Sequence, residues 1–163
     1  MNPLPDNAAR DGPALRERAL RLLARRDHAR AELARKLAAH AESREALDTL
    51  LDDLVRLGLL SDQRYAEQRS EARSRRLGNS RLSQELRTKG VGDAIIQSAL
   101  DNLGDEMTRA REVWQRKFRG KTPDSRTEWA RQARFLQSRG FPSDLIRKLL
   151  YDPEHDRFDH GDD

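Results

Sequence analysis

A group of apolar residues around a glycine returns after 50 positions, and this repeat constrains the fold more than any other feature of the chain. The matching pairs are Leu86 with Leu136, Lys89 with Arg139, Gly90 with Gly140, Val91 with Phe141, Ile95 with Leu145, Ile96 with Ile146, Ala99 with Leu149 and Leu100 with Leu150. A weaker copy lies 49 positions upstream and pairs Leu33 with Leu82, Leu37 with Leu86, Leu47 with Ile96, and Leu54 with Leu103. Periods of this size are typical of tandem helical units that bury a shared core by stacking.

The spacing of the apolar residues predicts helices throughout the repeats. Leucines and alanines recur three and four positions apart, no stretch shows the strict alternation of a strand, and single glycines stand where six of the nine periodic runs stop. The predicted helices cover about residues 14–26, 28–40, 43–58, 62–77, 80–89, 93–103, 105–119, 125–139 and 143–151. We therefore predict an all-α fold, with three tandem three-helix repeats that form an elongated, curved array.

The predicted organisation has five parts. Residues 1–13 contain Pro, Asn, Asp and Gly without periodicity, so we expect a disordered lead; repeats follow at residues 14–60, 61–104 and 105–151. Residues 152–163 carry 6 acidic side chains and 1 basic side chain, which predicts a flexible acidic tail.

Charge is abundant and unevenly distributed. Charged residues make up 37% of the chain, and the net charge is +4. Residues 14–37 and 64–91 each hold 8 basic and 3 acidic side chains, and residues 107–148 hold 12 and 4. Most of these cations are arginines, whose planar forks suit phosphates and carboxylates. For any single arginine, a solvated helix face is an equally good explanation, but three basic segments in register with the repeat predict a surface for phosphates or an acidic partner.

The predicted contact residues for DNA or a DNA-bound protein filament come from these basic segments. They are Arg25, Arg26, Arg69, Arg73, Arg76, Arg81, Arg87, Lys89, Arg116, Lys117, Arg119, Lys121, Arg131 and Arg134. Arg81 stands beside the first turn of a predicted helix, where backbone amides could hold an anion. Tyr65, Trp114, Phe118 and Trp129 lie between these cations and could stack on bases, but their helical spacing favours a place in the core.

The chain lacks the residue patterns of an enzyme. It contains no cysteine, its glycines do not form a phosphate-binding loop, and His28 and His40 are too far apart to share a metal. We expect these two histidines to be exposed or to cap helices, and Asp27 to cap the second helix. No apolar run is long enough to span a membrane, and the first residues do not resemble a signal peptide. The sequence therefore predicts no catalytic residue, metal site or cofactor.

Several motifs, in their order and spacing, resemble the RecX family of regulatory proteins. LLSDQRYA at residues 59–66, followed by Gly78, Arg81 and LRTKGV at residues 86–91, resembles the central signature of that family. RAELARKL at residues 30–37 resembles an upstream element, although Ala29 stands where the family often has serine. RGF at residues 139–141 resembles the closing element, so the resemblance covers about residues 14–151.

This resemblance implies a bacterial, cytoplasmic, non-enzymatic modulator of the RecA recombinase, and we expect the chain to be a monomer. Such proteins consist of three tandem three-helix repeats and bind along or within the groove of the RecA–DNA filament. They restrain strand exchange, ATP hydrolysis and co-protease activity, and so temper recombinational repair and the SOS response. From the residues alone, a helical module that binds single- and double-stranded DNA on its own, without strong sequence preference, is the alternative, and an enzyme is the least favoured reading.

Overall fold

All regular structure in residues 8–151 is helical. The computed structural model describes the backbone of these residues and the side chains of residues 12–151. Along this part of the chain lie α1 (Ala8–Arg25), α2 (Arg30–Leu37), a 3₁₀ turn (Ala38–His40), α3 (Arg44–Arg56), α4 (Asp62–Ser74), α5 (Asn79–Thr88), α6 (Asp93–Asp101), α7 (Glu106–Phe118), α8 (Arg126–Ser138) and α9 (Ser143–Leu150). The predicted all-α fold of tandem three-helix segments is confirmed.

Burial follows the repeat that the sequence shows. Positions 50 apart are buried together, in the pairs Leu82 with Gln132, Leu86 with Leu136, Val91 with Phe141, Ile96 with Ile146 and Leu100 with Leu150. The upstream copy behaves in the same way, because Leu33, Leu37, Leu47 and Leu51 are all buried. The repeated side chains are therefore the core positions of successive helix trios.

The described chain divides into two compact units. The first comprises the residues up to Arg69 together with Leu86–Ala99, and the second comprises Ser70–Glu85 together with the residues from Leu100 onward. The division passes through α4, α5 and α6, so the middle trio contributes residues to both units.

Each unit has its own apolar core. In the first unit, α1, α2 and α3 contact one another around the buried residues Leu15, Ala19, Leu33, Leu37, Leu47, Leu51, Leu54 and Leu60. In the second unit, α7, α8 and α9 enclose Ala110, Val113, Trp114, Phe118, Leu136, Phe141, Ile146 and Leu150. The Trp114 indole N–H donates to the buried Gln132 side chain at 2.7 Å, so these two polar groups are paired with each other inside the core.

A carboxylate from the next trio satisfies a helix start in each unit. The backbone N–H of Arg30, the first residue of α2, donates to the side chain of Asp62 at 2.7 Å. The N–H of Asn79, the first residue of α5, donates to the side chain of Glu106 at 2.7 Å. Asp62 and Glu106 are themselves the first residues of α4 and α7, so both junctions use the same arrangement. We expected Asp27 to cap α2, but Ala29 stands at that position without a side-chain bond.

Two glycines allow successive trios to approach closely. Gly90 and Gly140 have positive φ angles of +82° and +91°, which end α5 and α8. A Cβ on Gly90 would lie 2.4 Å from the Cβ of Ala31, and one on Gly140 would lie 2.4 Å from the Cβ of Arg81. Ala31 and Arg81 are also 50 residues apart, so the same contact between second helices occurs once in each unit.

The structure corrects the expected extent of the N-terminal lead. We expected residues 1–13 to be disordered, whereas α1 begins at Ala8 and contains Pro13. Alanine and arginine at residues 8–10 favour helix, and α1 includes them although Pro13 lacks a backbone N–H. Residues 1–7 and the predicted acidic tail at residues 152–163 lie outside the described residues.

Candidate nucleic-acid interface

Five of the fourteen predicted contact residues lie in the first unit, and three of them are ion-paired within the chain. Arg26 contacts Glu32, Lys89 approaches the same carboxylate, and the Arg87 Nε donates to Asp93 at 2.9 Å. Arg25 and Arg69 are exposed.

Glu32 is a buried carboxylate, 4% exposed, at the centre of a cationic cluster. Two Arg26 nitrogens donate to its oxygens at 2.5 and 3.2 Å, and the Nζ atoms of Lys36 and Lys89 lie 3.7 and 3.6 Å from Oε1. Burial raises the pKa of this carboxyl, but the Arg26 hydrogen bonds and the neighbouring positive charges outweigh it and lower the pKa to about 2. The carboxylate is therefore ionised and ties α2 to the residues that follow α5.

His28 belongs to the same cluster and corrects our expectation of an exposed or capping residue. It is 2% exposed. Its Nδ1 lies 3.0 Å from the carbonyl of Arg26, and its Nε2 lies 3.0 Å from the Lys36 ammonium. Because an ammonium only donates, Nε2 is the unprotonated acceptor and Nδ1–H donates to the carbonyl. Burial lowers the pKa of the ring, which agrees with a neutral histidine. His40 is exposed, as expected.

In the second unit, the segment between α4 and α5 carries several exposed arginines. Arg73 is held by Glu85, with Nε and one terminal nitrogen each 2.8 Å from a carboxylate oxygen. Arg75, Arg76 and Arg81 are exposed, and we call these three the turn arginines. Their side chains form no ion pair with a described acidic residue in this structure.

The backbone amides beside Arg81 are already bonded, which corrects the predicted anion site. The Gly78 N–H donates to the Arg139 carbonyl at 2.8 Å, and the Ser80 N–H donates to the Gly140 carbonyl at 3.2 Å. The Asn79 N–H is bonded to Glu106, so the anion held at this helix start is a side chain of the protein. No local feature of the chain indicates these partners, because they come from residues at least 27 positions away.

A buried arginine, Arg109, fixes the turn between α4 and α5. It is 9% exposed, and one terminal nitrogen donates to the carbonyls of Leu77 at 3.1 Å and Ser74 at 3.5 Å. Its other terminal nitrogen donates to the Asn79 side chain. Burial lowers the pKa of the guanidinium. Charge counting placed Arg109 among the basic surface residues, but it lies four positions before the buried Val113 and so shares the apolar face of α7.

The predicted contact residues on α7, on α8 and between them surround an aromatic pair or are exposed. Phe118 and Phe135 meet edge to face at 5.4 Å between ring centroids. Lys117 lies 5.6 Å from the Phe135 centroid, and Arg131 lies 5.2 Å from that of Phe118 while pairing with Glu128. The remaining predicted residues here are Arg116, which donates to the Arg75 carbonyl, and the exposed Arg119, Lys121 and Arg134.

Of the four aromatic residues that the sequence places among the cations, three are buried as predicted. Tyr65, Trp114 and Phe118 are 5%, 8% and 7% exposed. Trp129 is 37% exposed, so the prediction that it belongs to the core is wrong. It lies on the first turn of α8, and the buried face of that helix carries Gln132 and Leu136 instead.

The described residues lack the arrangements of two other classes of site. Within residues 12–151, no three His, Cys, Asp or Glu side chains come together in a way that could hold a metal ion. In the same part of the chain, no helix has the length and apolar content that a membrane span requires.

The fold and these side chains define a tandem helical-repeat protein with exposed arginines on a scaffold tied together by ion pairs. Family models describe residues 61–100 as the second three-helix domain of RecX and residues 105–150 as the third. The chain belongs to the RecX family of regulatory proteins, as the sequence motifs indicated.

Curated relatives agree with this assignment, and a solved structure shares the fold. The regulatory protein RecX of Leptothrix cholodnii is 48% identical over 146 residues, which cover 88% of this chain and 92% of that protein. RecX of Chromobacterium violaceum is 42% identical, over 92% of this chain and 97% of its own length. The crystal structure of RecX from Lactobacillus salivarius superimposes with a TM-score of 0.76 and 21% identity, and covers 87% of this chain and 96% of that one.

Proposed function

We propose that this protein is a non-enzymatic, cytoplasmic regulator that binds the RecA–DNA filament. It inhibits the recombinase, ATPase and co-protease activities of RecA and thereby tempers recombinational repair and the SOS response. The observation that carries the proposal is that the chain belongs to the RecX regulatory proteins over nearly its whole described length. The helix trios at residues 14–60, 61–104 and 105–151 are the proposed functional repeats.

The turn arginines support contact with a polyanion. Arg75, Arg76 and Arg81 are exposed within seven residues, and no described acidic side chain neutralises them. By contrast, Arg26 and Arg73 are held by Glu32 and Glu85. Guanidinium groups that lack an internal partner can pair with phosphates without first breaking an ion pair. Of the fourteen predicted residues, we assign the main contacts to the exposed cations whose side chains are not engaged by a described ion pair, hydrogen bond or aromatic ring: Arg25, Arg76, Arg81, Arg119, Lys121 and Arg134.

The test measures hydrolysis of ATP by RecA on single-stranded DNA while this protein is added far below one copy per RecA. Filament regulation predicts suppression at these low ratios, because one bound regulator affects many RecA subunits. Inhibition only when the protein saturates the DNA would instead mean simple competition for DNA, the activity of a stand-alone DNA-binding module. In that case the proposed filament regulation is wrong.

The contact surface is tested with the triple variant R75A/R76A/R81A. We expect this variant to be a weaker inhibitor of RecA than the wild-type protein and to bind DNA less tightly at physiological salt. Its affinity for DNA should also depend less on salt, because fewer phosphates are neutralised. The variant R18A/R21A/R44A is the matched control, since it removes the same charge from exposed arginines outside the predicted set. Far-ultraviolet circular dichroism reports that both variants keep their helices. Unchanged binding by the first variant would exclude the turn arginines from the interface.

A further inference from the structure

Trp129 is an exposed indole on a helix whose neighbours bury their aromatic residues. It is 37% exposed, whereas Trp114 and Phe118 in the same unit are 8% and 7% exposed. In the described part of the second unit, the other large apolar side chain with comparable exposure is Tyr151, which follows α9. Few large apolar side chains of this unit are therefore exposed, whereas the centre of a protein–protein interface is usually formed by several.

The chain around Trp129 is strongly cationic. Residues 116–134 contain 7 basic and 2 acidic side chains. One of the two acids, Glu128, is already engaged, because Arg131 pairs with it at 2.8 Å and Gln132 donates to it at 3.0 Å. The indole thus lies in a segment whose positive charge is only partly balanced, which favours a polyanion as the occupant.

Two exposed cations are placed to accompany the indole. Arg126 lies three residues before Trp129 on α8, and residues at this spacing are neighbours on one helix face. Lys121 lies in the preceding loop, which is pinned to α8 because the Gln132 side chain donates to the Lys121 carbonyl at 3.1 Å. The loop and the start of α8 therefore form one fixed segment that carries both cations, Lys121 and Arg126, ahead of the indole in the sequence.

We propose that Trp129 stacks on an unpaired base of single-stranded DNA, while Lys121 and Arg126 contact the adjoining phosphates. An exposed aromatic beside cations is the arrangement by which proteins hold single strands without reading their sequence. A duplex offers phosphates but keeps its bases stacked inside, so this residue distinguishes the two forms of DNA. The inference rests on the proposed function in that it assumes contact with filament DNA, and it adds the residue and the form of DNA that it recognises.

Fluorescence tests the stacking directly, because the chain has only two tryptophans and one is buried. Titration of the wild-type protein with an oligothymidylate of about 20 nucleotides should quench the emission of Trp129. In W129F the remaining emission comes from Trp114, and the oligonucleotide should leave it unquenched. Wild-type protein whose emission does not change at saturating oligonucleotide would overturn the proposal.

Affinity measurements separate stacking from charge. We expect W129A and W129L to bind the oligothymidylate about 5- to 100-fold more weakly than wild type, and W129F to retain most of the affinity, because only an aromatic face stacks. Affinity for a duplex of the same length, and the slope of affinity against salt, should not change, since no phosphate contact is lost. L57A is the matched control, because Leu57 is a 50% exposed apolar residue in the first unit.

The remaining outcomes contradict the inference in distinguishable ways. Equal affinity of W129A and wild type for the single strand would refute base stacking and leave the proposed function intact. Loss of RecA inhibition by W129A with unchanged affinity for single-stranded DNA would mean that Trp129 contacts RecA. Failure of the wild-type protein to bind any DNA would refute the inference together with the DNA contact of the proposed function.

Discussion

Three glycines of the second unit separate backbone strain from steric contact, and their alanine variants test how closely α8 approaches α5. Gly104 has a φ of +76°, with no atom within 4 Å of an added Cβ. At Gly78, by contrast, φ is not positive, and an added Cβ would lie 2.4 Å from the Gly140 carbonyl oxygen and 2.7 Å from the Phe141 nitrogen. Gly140 combines both, with a φ of +91° and Arg81 backbone atoms within 3.0 Å.

The expected losses of folding free energy follow from these geometries. G104A introduces only left-handed strain, about 1–2 kcal/mol, which the reduced entropy of the unfolded chain partly offsets. G78A forces the end of α8 away from the start of α5 by about 1 Å, since two non-bonded heavy atoms need a separation of roughly 3.4 Å or more. That shift breaks the bonds from Gly78 to the Arg139 carbonyl and from Ser80 to the Gly140 carbonyl. We expect it to cost about 2–3 kcal/mol. G140A carries both effects and should lose about 3–5 kcal/mol.

Urea titration followed by far-ultraviolet circular dichroism gives the free energy of unfolding of each variant. The predicted order is G104A, then G78A, then G140A as the least stable. If G78A is no less stable than G104A, the two chain segments do not approach as closely as described, and the reasoning about the junction between trios fails.

Three further changes have expected outcomes of their own. D62A and E106A each remove the carboxylate at a helix start, and each should lower the unfolding free energy in urea by about 0.5–2 kcal/mol. The pKa of Glu32 is lowered to about 2, so its contribution to the free energy of unfolding is present above its ordinary pKa and is lost as the pH falls towards 2. Between about pH 5 and about pH 2, the unfolding free energy of E32Q should therefore fall by about 3 kcal/mol less than that of wild type. L86A opens a cavity at a side chain that is 1% exposed and should cost about 2–5 kcal/mol by the same urea titration.

Each of these changes has a control. D62N and E106Q keep an acceptor oxygen and should recover part of the loss, and no recovery would mean that the side chains act in another way. For Glu32, equal acid sensitivity of E32Q and wild type would show that other carboxyls cause the acid loss. L57A, at a 50% exposed position, should change stability by less than about 0.5 kcal/mol. A loss from L57A that matched the loss from L86A would contradict the assignment of the core.

The helices and their stops could be predicted because local signals determine them. The 50-residue repeat around Gly90 and Gly140 marks both the buried faces and the helix ends, and Ser43 caps α3 through the Ala46 N–H at 3.1 Å as its position suggests. Where a distant residue competes, the local signal failed. Asp27 does not cap α2, because its carboxylate accepts from Arg64 at 2.9 Å.

The candidate site could be predicted only as a set of cations, and the pairing of those cations required the fold. Arg76 and Arg26 look alike in the sequence and both are exposed, yet Arg26 holds the buried Glu32 six positions away, whereas Arg76 forms no ion pair with a described acidic residue. Charge counting could not separate Arg109, which lies inside the second unit, from exposed arginines on the same helix. Apolar spacing likewise assigned Trp129 to the core although its side chain is exposed.

The amino-acid sequence by itself determined the number, order and buried faces of the helices, because periodicity and backbone preference act between residues close together along the chain. The tertiary structure alone decided which charged side chains form ion pairs within the protein and which do not. It also decided how closely Gly78 and Gly140 bring two helices together. These properties depend on distances between atoms that are far apart in sequence, and only the folded chain sets them.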